Sequence, residues 1–137
     1  MTPEEHKAKC LQMVAGWNRW DLNGIIEHWA PDVVHYWQGA PVEKSFMIKQ
    51  METGLNAFPD LHLDVRSIIA EDDLVTLRIT VTGTHKGEFA GIQPTGRSVT
   101  WDMVEELRFA NGKVIERWDV VNMLPALQAI GVIPAAA

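Results

Sequence analysis

Residues 74–85, LVTLRITVTGTH, decide how this chain folds. Val75, Leu77, Ile79 and Val81 alternate with Thr76, Arg78, Thr80 and Thr82, the period of a strand with one buried and one open face. The apolar set must face a core. Gly83 and His85 continue it, so His85 is expected at an inward position near a rim. Three more runs have strand character: 61–69 (LHLDVRSII), 98–109 (SVTWDMVEELRF) and 113–121 (KVIERWDVV). Turn signals separate the runs at Asp72-Asp73, at 87–96 (GEFAGIQPTG) and at Asn111-Gly112, a dipeptide that two-residue hairpins favour. Together they predict a four-stranded antiparallel meander.

Helices precede it. Residues 2–20 read as a helix with Thr2 as N-cap, Pro3 in the first turn and Glu4 and Glu5 at the positive end of the dipole. Leu11, Val14, Ala15, Trp17 and Trp20 recur at its spacing. The stretch 21–31, DLNGIIEHWAP, predicts a short helix capped by Asp21 and stopped by Pro31. A short strand over 32–39 follows. Residues 44–58 form a third helix, with Phe46, Met47, Met51 and Leu55 on one side. A closing helix spans about 123–130, with Asn122 as cap and Gly131 as stop. Helices first and a meander second is the α+β pattern. One domain over 1–137 is expected, and the final Ala-Ala-Ala reads as a frayed tail.

Composition narrows the function classes. A formal net charge of −6 leaves no basic surplus for nucleic acid or anionic membranes. No apolar run reaches the ~18 residues of a membrane span, and the charged N-terminus lacks a signal core, so a cytoplasmic protein is expected. Cys10 is the one cysteine; it excludes an internal disulfide and reads as a helix residue, not a nucleophile. No His or Cys pair has ligand spacing, so no metal is expected. His6, His28 and His62 are assigned to the surface.

Acids in apolar stripes mark the candidate site. Val99, Trp101, Met103, Leu107 and Phe109 share a face, and Glu105 sits among them. A carboxylate there costs free energy unless partnered or neutralised. The run 113–121 is ambiguous: Ile115, Arg117, Asp119 and Val121 form one set, and Val114, Glu116, Trp118 and Val120 the other. Alternation leaves open whether Asp119 or Trp118 points inward, with Glu116 mildly favouring Asp119. In the early strand His35 and Trp37 share a face. A curved, helix-backed sheet would gather His35, Trp37, His85, Trp101, Glu105 and Asp119 around an apolar hollow, with Trp118 beside them. That suits a small hydrophobic or aromatic ligand.

These residues resemble a family. The segments FPDL (58–61), GTHKGEF (83–89), ERWDVV (116–121) and LPALQAIG (124–131), in this order and spacing, look like SnoaL-like polyketide cyclases, within the superfamily of nuclear transport factor and ketosteroid isomerase domains. The resemblance implies an α+β cone with a curved antiparallel sheet around an internal pocket, assembled as homodimers or homotetramers. It implies intramolecular aldol cyclisation of a polyketide-type carbonyl compound without metal or organic cofactor. A pocket aspartate on the last strand acts as acid/base with a polar partner on the preceding strand; Asp119 and Glu105 match these, with His85 as a further catalytic candidate and His35, Trp37, Trp101 and Trp118 as binding candidates. Many relatives carry Asp where this chain has Asn122, here explained as a helix cap. Residues near 94–99 and 118–122 also resemble limonene-type epoxide hydrolases, whose Asp-Arg-Asp set activates water; the strand that should supply Arg and Asp carries Thr80 and Thr82. The ketosteroid isomerase base would fall near Trp37, which cannot take a proton. A hydrolase or dehydratase in the same pocket, and a non-catalytic binding or dimerisation module, are the alternatives.

Overall fold

The computed structural model describes residues 1–134; the Ala-Ala-Ala end lies outside the described residues. Its elements are α1 (Pro3–Asn18), α2 (Asn23–Ile26), β1 (Trp29–Trp37), β2 (Ala40–Val42), α3 (Lys44–Ala57), β3 (His62–Glu71), β4 (Leu74–Thr84), β5 (Ser98–Ala110), β6 (Lys113–Asn122) and α4 (Leu124–Ile130). The meander of β3 to β6 is antiparallel throughout. The early strand joins it by parallel pairing of β1 with β6. The result is one mixed sheet in the order β2-β1-β6-β5-β4-β3, curled but not closed. The α+β architecture is the one read from the sequence. The sheet has six strands: the expected meander of four, the early strand read over 32–39, and β2, a three-residue antiparallel partner of β1 too short to show a period. That the early strand would pair in parallel with β6 had no local signal, because the pair joins distant segments.

Local chemistry explains most boundaries. Thr2 and Glu5 form a reciprocal capping box at the start of α1. Asn111 and Gly112 both take left-handed backbone (φ 51° and 76°), as a tight hairpin between right-twisted strands requires. Gly131, also left-handed, ends α4. The second helix is shorter than expected. Asp21 accepts the Gly24 N–H, but only Asn23–Ile26 are helical. Pro31 lies inside β1, where the register with β6 shifts between Trp29 and Val34; a proline without an N–H is tolerated at such an irregularity.

The inner face of α1 is rotated from the expected one. His6, Cys10, Met13 and Gly16 are buried, whereas Leu11 and Trp20 are 45% and 55% exposed. His6 is therefore no surface histidine: its ring stacks on Phe109 at 4.6 Å and its Nδ1 lies 3.3 Å from the Asp72 carbonyl oxygen. Phe46 likewise points outward from α3, while Met47 and Met51 are buried. Burial beside the charge of Glu105 pushes the Cys10 thiol up to about 12, so it is an inert core group.

The segments that carried the family resemblance tie α3 to the end of β4. Phe58 is buried against Gly83, where an added Cβ would meet the Phe58 Cβ at 3.0 Å. Asp60 accepts the Thr84 N–H and hydroxyl, both at 2.7 Å. Lys86 and Gly87 donate to the Ala57 carbonyl, and a Cβ on Gly87 would collide with the Asn56 carbonyl oxygen. Backbone cannot rotate away as a side chain does. Gly87→Ala is therefore expected to cost about 1–3 kcal/mol, measured by urea unfolding; a variant as stable as the native chain would show that this loop is not pressed on α3.

β6 carries the feature that positions the site. Val114 and Arg117 are both buried, though they are three residues apart in a strand. The β5–β6 register shifts so that Arg108 faces Glu116 while Phe109 faces Val114. Ile115 is the extra residue of a bulge, which exchanges the two faces. Beyond it Arg117 and Asp119 turn to the concave side and Trp118 to the convex side. There Trp118 stacks on Tyr36 (3.8 Å, interplanar 4°) and its indole N–H donates to Glu116.

Candidate active site

The concave side holds a partly open cavity of about 170 Å³ between α1, α3 and the sheet. Its walls are almost wholly apolar. Trp17, Trp37, Phe58, Phe89 and Trp101 supply rings, and Met47, Met51, Met103 and Met123 supply adaptable thioethers. Three charged side chains reach this wall: Glu105 from β5, and Arg117 and Asp119 from β6. Glu105 and Asp119 are direct cross-strand partners, so their side chains rise side by side.

Arg117 binds both acids. Its Nη1 donates to Asp119 Oδ2 at 2.9 Å and its Nη2 to Glu105 Oε1 at 3.0 Å. The Arg117, Glu105 and Asp119 side chains are only 9%, 11% and 5% exposed. One guanidinium neutralises one carboxylate, so the second is surplus charge in an apolar wall. Burial raises the Asp119 pKa to about 6, against the pull of Arg117 and with help from the charge of Glu105. Burial opposes the charge of Arg117 too, but its two carboxylates outweigh this and push its pKa further up. Asp119 Oδ1 is buried and has no partner among the described residues. Asp119 Oδ1 and Glu105 Oε2 are thus the two carboxylate oxygens of the set with no hydrogen-bond partner among the described residues, each on a carboxylate whose other oxygen Arg117 clamps, and Asp119 Oδ1 is the one without exposed surface.

The other candidates divide between the cavity and other places. Trp37 and Trp101 line the cavity with Glu105 and Asp119, while His35, His85 and Trp118 do not. His85 is fully buried, not at a rim. The Thr95 N–H donates to its Nδ1 at 3.2 Å and the Thr95 hydroxyl lies 3.0 Å from the same nitrogen, so the ring pins the 85–97 loop. His35 is also fully buried, edge-on to Trp29 at 4.4 Å. Burial, then the charges of Arg117 and Lys44, lower its pKa to about 3, so it is neutral near pH 7. Trp118 is on the far face of the sheet. Met123, not Asn122, is the N-cap of α4, which starts at Leu124; Asn122 sits one residue earlier, where its Oδ1 accepts the Leu124 N–H at a long 3.4 Å. Thr80 and Thr82 face away from the cavity, but an acid–Arg–acid set exists nonetheless, built from β5 and β6. Arg117 is the side chain at the centre of this set whose face strand alternation left undecided; its place two residues before Asp119 is the signal that could have found it.

Among the described residues no cluster of three or more His, Cys, Asp or Glu is arranged to hold a metal, and no helix is long and apolar enough to cross a membrane. The model of the SnoaL-like polyketide cyclase family matches residues 8–130. The chain belongs to that family. Among solved structures this SnoaL-like chain is similar to AclR, a proposed hydroxylase from Streptomyces galilaeus, at 60% identity over 99% of this chain and 87% of that one, with a TM-score of 0.97. IdmH, a proposed polyketide cyclase from Streptomyces antibioticus, is 26% identical over 92% of this chain and 98% of its own, TM-score 0.81. A SnoaL-like chain from Jannaschia sp. CCS1 shares the fold at 23% identity, 98% coverage of both chains and a TM-score of 0.84. No curated protein matches.

Proposed function

We propose that this chain is an acid/base catalyst acting on a polycyclic carbonyl compound of polyketide type, with Asp119 as the group that moves the proton. The observation that carries this reading is the buried, unpartnered Asp119 Oδ1 beside an aromatic cavity, with Oδ2 held by Arg117. Oδ1 takes a proton from the carbon next to a carbonyl. The enolate then attacks a second carbonyl of the same molecule, a C–C bond forms, and the new alkoxide recovers the proton from the Asp119 carboxyl. No atom is gained or lost. Arg117 orients the acid and Glu105 steadies Arg117, so both are positioning residues.

A carboxyl group with a pKa of about 6 works as a base above that value. Exchange of the α-protons of 2-tetralone in D2O, followed by NMR, is expected to rise through about pH 6 and to vanish in Asp119→Asn. A flat profile from pH 4.5 to 7.5 would remove Asp119 from the chemistry. The same shift sets a stability signature. Asp119 holds its proton more tightly folded (about 6) than unfolded (3.8), so its contribution is full below pH ~4 and is lost as pH rises toward ~6. At ~1.4 kcal/mol per pH unit this amounts to about 3 kcal/mol. The stability difference between native chain and Asp119→Asn should change by that order over the window; a constant difference contradicts the raised pKa.

A second reading has its own support. An arginine bonded to the acid suits activation of water. In this reading Asp119 takes a proton from water as the water oxygen attacks an epoxide carbon of the substrate, that carbon–oxygen bond breaks, and the released alkoxide takes up the proton, with no change in oxidation state. Product formed in H2(18)O separates the two: labelled oxygen in a new C–O bond supports water addition, and deuterium wash-in without it supports ring closure.

A further inference from the structure

The face of α3 over the cavity contains two residues that the fold itself does not explain. Positions 47, 50, 51 and 54 lie on one side of a helix, and all four line the cavity. A helix covering an apolar hollow would place apolar residues at all of them. Met47 and Met51 conform, while Gln50 and Gly54 do not.

Gly54 is the sharper case. Of the ten glycines in the chain, five have left-handed backbone. Four others would press an added Cβ to 3.0 Å or less from a neighbour. Gly54 has neither reason. Its backbone is helical, its carbonyl accepts the Phe58 N–H in the ordinary way, and a Cβ there would meet nothing within 4 Å. Glycine in a helix is less stable than alanine, so the fold would be better served by almost any side chain. The residue leaves a gap, and the gap opens on the cavity. One turn earlier, the Gln50 amide makes no hydrogen bond to any described residue, whereas the neighbouring Thr53 hydroxyl is occupied by the Lys49 carbonyl.

We propose that Gly54 and Gln50 form a specificity subsite: the edge of a flat outer ring of the substrate lies against the bare helix at Gly54, and Gln50 hydrogen-bonds an oxygen substituent on that ring. This rests on the cavity being the substrate site, and it adds which face of the cavity measures ring number and substitution. Gly54 widens the cavity at a cost to the helix, and the amide selects rings bearing hydroxyl or carbonyl groups over bare ones.

The test pairs stability with binding of two probes, 1,8-dihydroxyanthraquinone and the smaller 2-naphthol, followed by quenching of tryptophan fluorescence. Gly54→Ala should raise the melting temperature by about 2–6 °C while weakening the three-ring probe. Gly54→Leu should weaken that probe at least tenfold and change 2-naphthol little. Gln50→Leu should weaken the dihydroxy probe more than unsubstituted anthraquinone. A Gly54→Ala protein that melts lower than the native chain would show that the glycine serves the fold, and full affinity of Gly54→Leu for the three-ring probe would show that no ring lies there. Either result overturns the subsite. If the native chain binds neither probe, subsite and substrate reading fall together. If binding follows these expectations but Asp119→Asn exchanges 2-tetralone protons as fast as the native chain, the subsite stands and the acid/base role falls.

Discussion

Arg117→Met is expected to lose about 3–5 kcal/mol of stability at pH 7, more than Glu105→Gln or Asp119→Asn. The reason is charge counting in a buried site. Either acid variant leaves Arg117 with one carboxylate 2.9–3.0 Å away, a neutral pair with its hydrogen bonds made. Removing the guanidinium leaves two carboxylates side by side in an apolar wall, each without its cation. The defect should shrink on acidification, because protonating the acids removes the uncompensated charge; below about pH 5 part of the loss should return. The triple variant Glu105→Leu, Arg117→Met, Asp119→Leu should recover most of the stability at pH 7, since apolar residues of similar size can replace a buried ionic set. Urea unfolding at pH 5 and pH 7 measures all of these. An Arg117→Met protein within 1 kcal/mol of native at pH 7 would mean that the set is hydrated and not buried.

Asp119→Asn is expected to lower the catalysed rate about 10²–10⁴-fold, the usual contribution of a positioned acid or base, with the fold retained. Asparagine matches aspartate in shape and keeps an oxygen for Arg117, but it cannot take a proton. Glu105→Gln tells positioning from catalysis. Its charge raises the Asp119 pKa, so its removal should move the midpoint of the pH–rate profile below 6 while leaving most of the plateau rate. If Glu105→Gln abolishes the plateau and Asp119→Asn only shifts the midpoint, the two acids have exchanged roles. If neither variant changes rate or midpoint, the acid/base reading fails.

Local pattern carried the chain far. The alternation of Val75, Leu77, Ile79 and Val81, the tight turn at Asn111-Gly112 and the N-cap at Thr2 are decided by neighbours in sequence, and each appears where it was read. Glu105 was legible as a candidate because a carboxylate in an apolar stripe is conspicuous, whereas alternation left the face of Asp119 open and the resemblance to SnoaL-like cyclases singled it out. Other features were settled by contacts between segments far apart. Strand period is two only while pairing is regular, and the bulge at Ile115 broke it, turning Val114, Arg117 and Asp119 inward together and Trp118 outward. His85 could not be placed without knowing that Thr95 would fold back on its ring. His35 depended on the parallel pairing of β1 with β6, which buries it opposite Arg117. The amino-acid order by itself determined which elements form and which acids are out of place; the tertiary structure decided that a single arginine joins two of them, because a bulge and a cross-strand register are properties of pairs of strands, not of one.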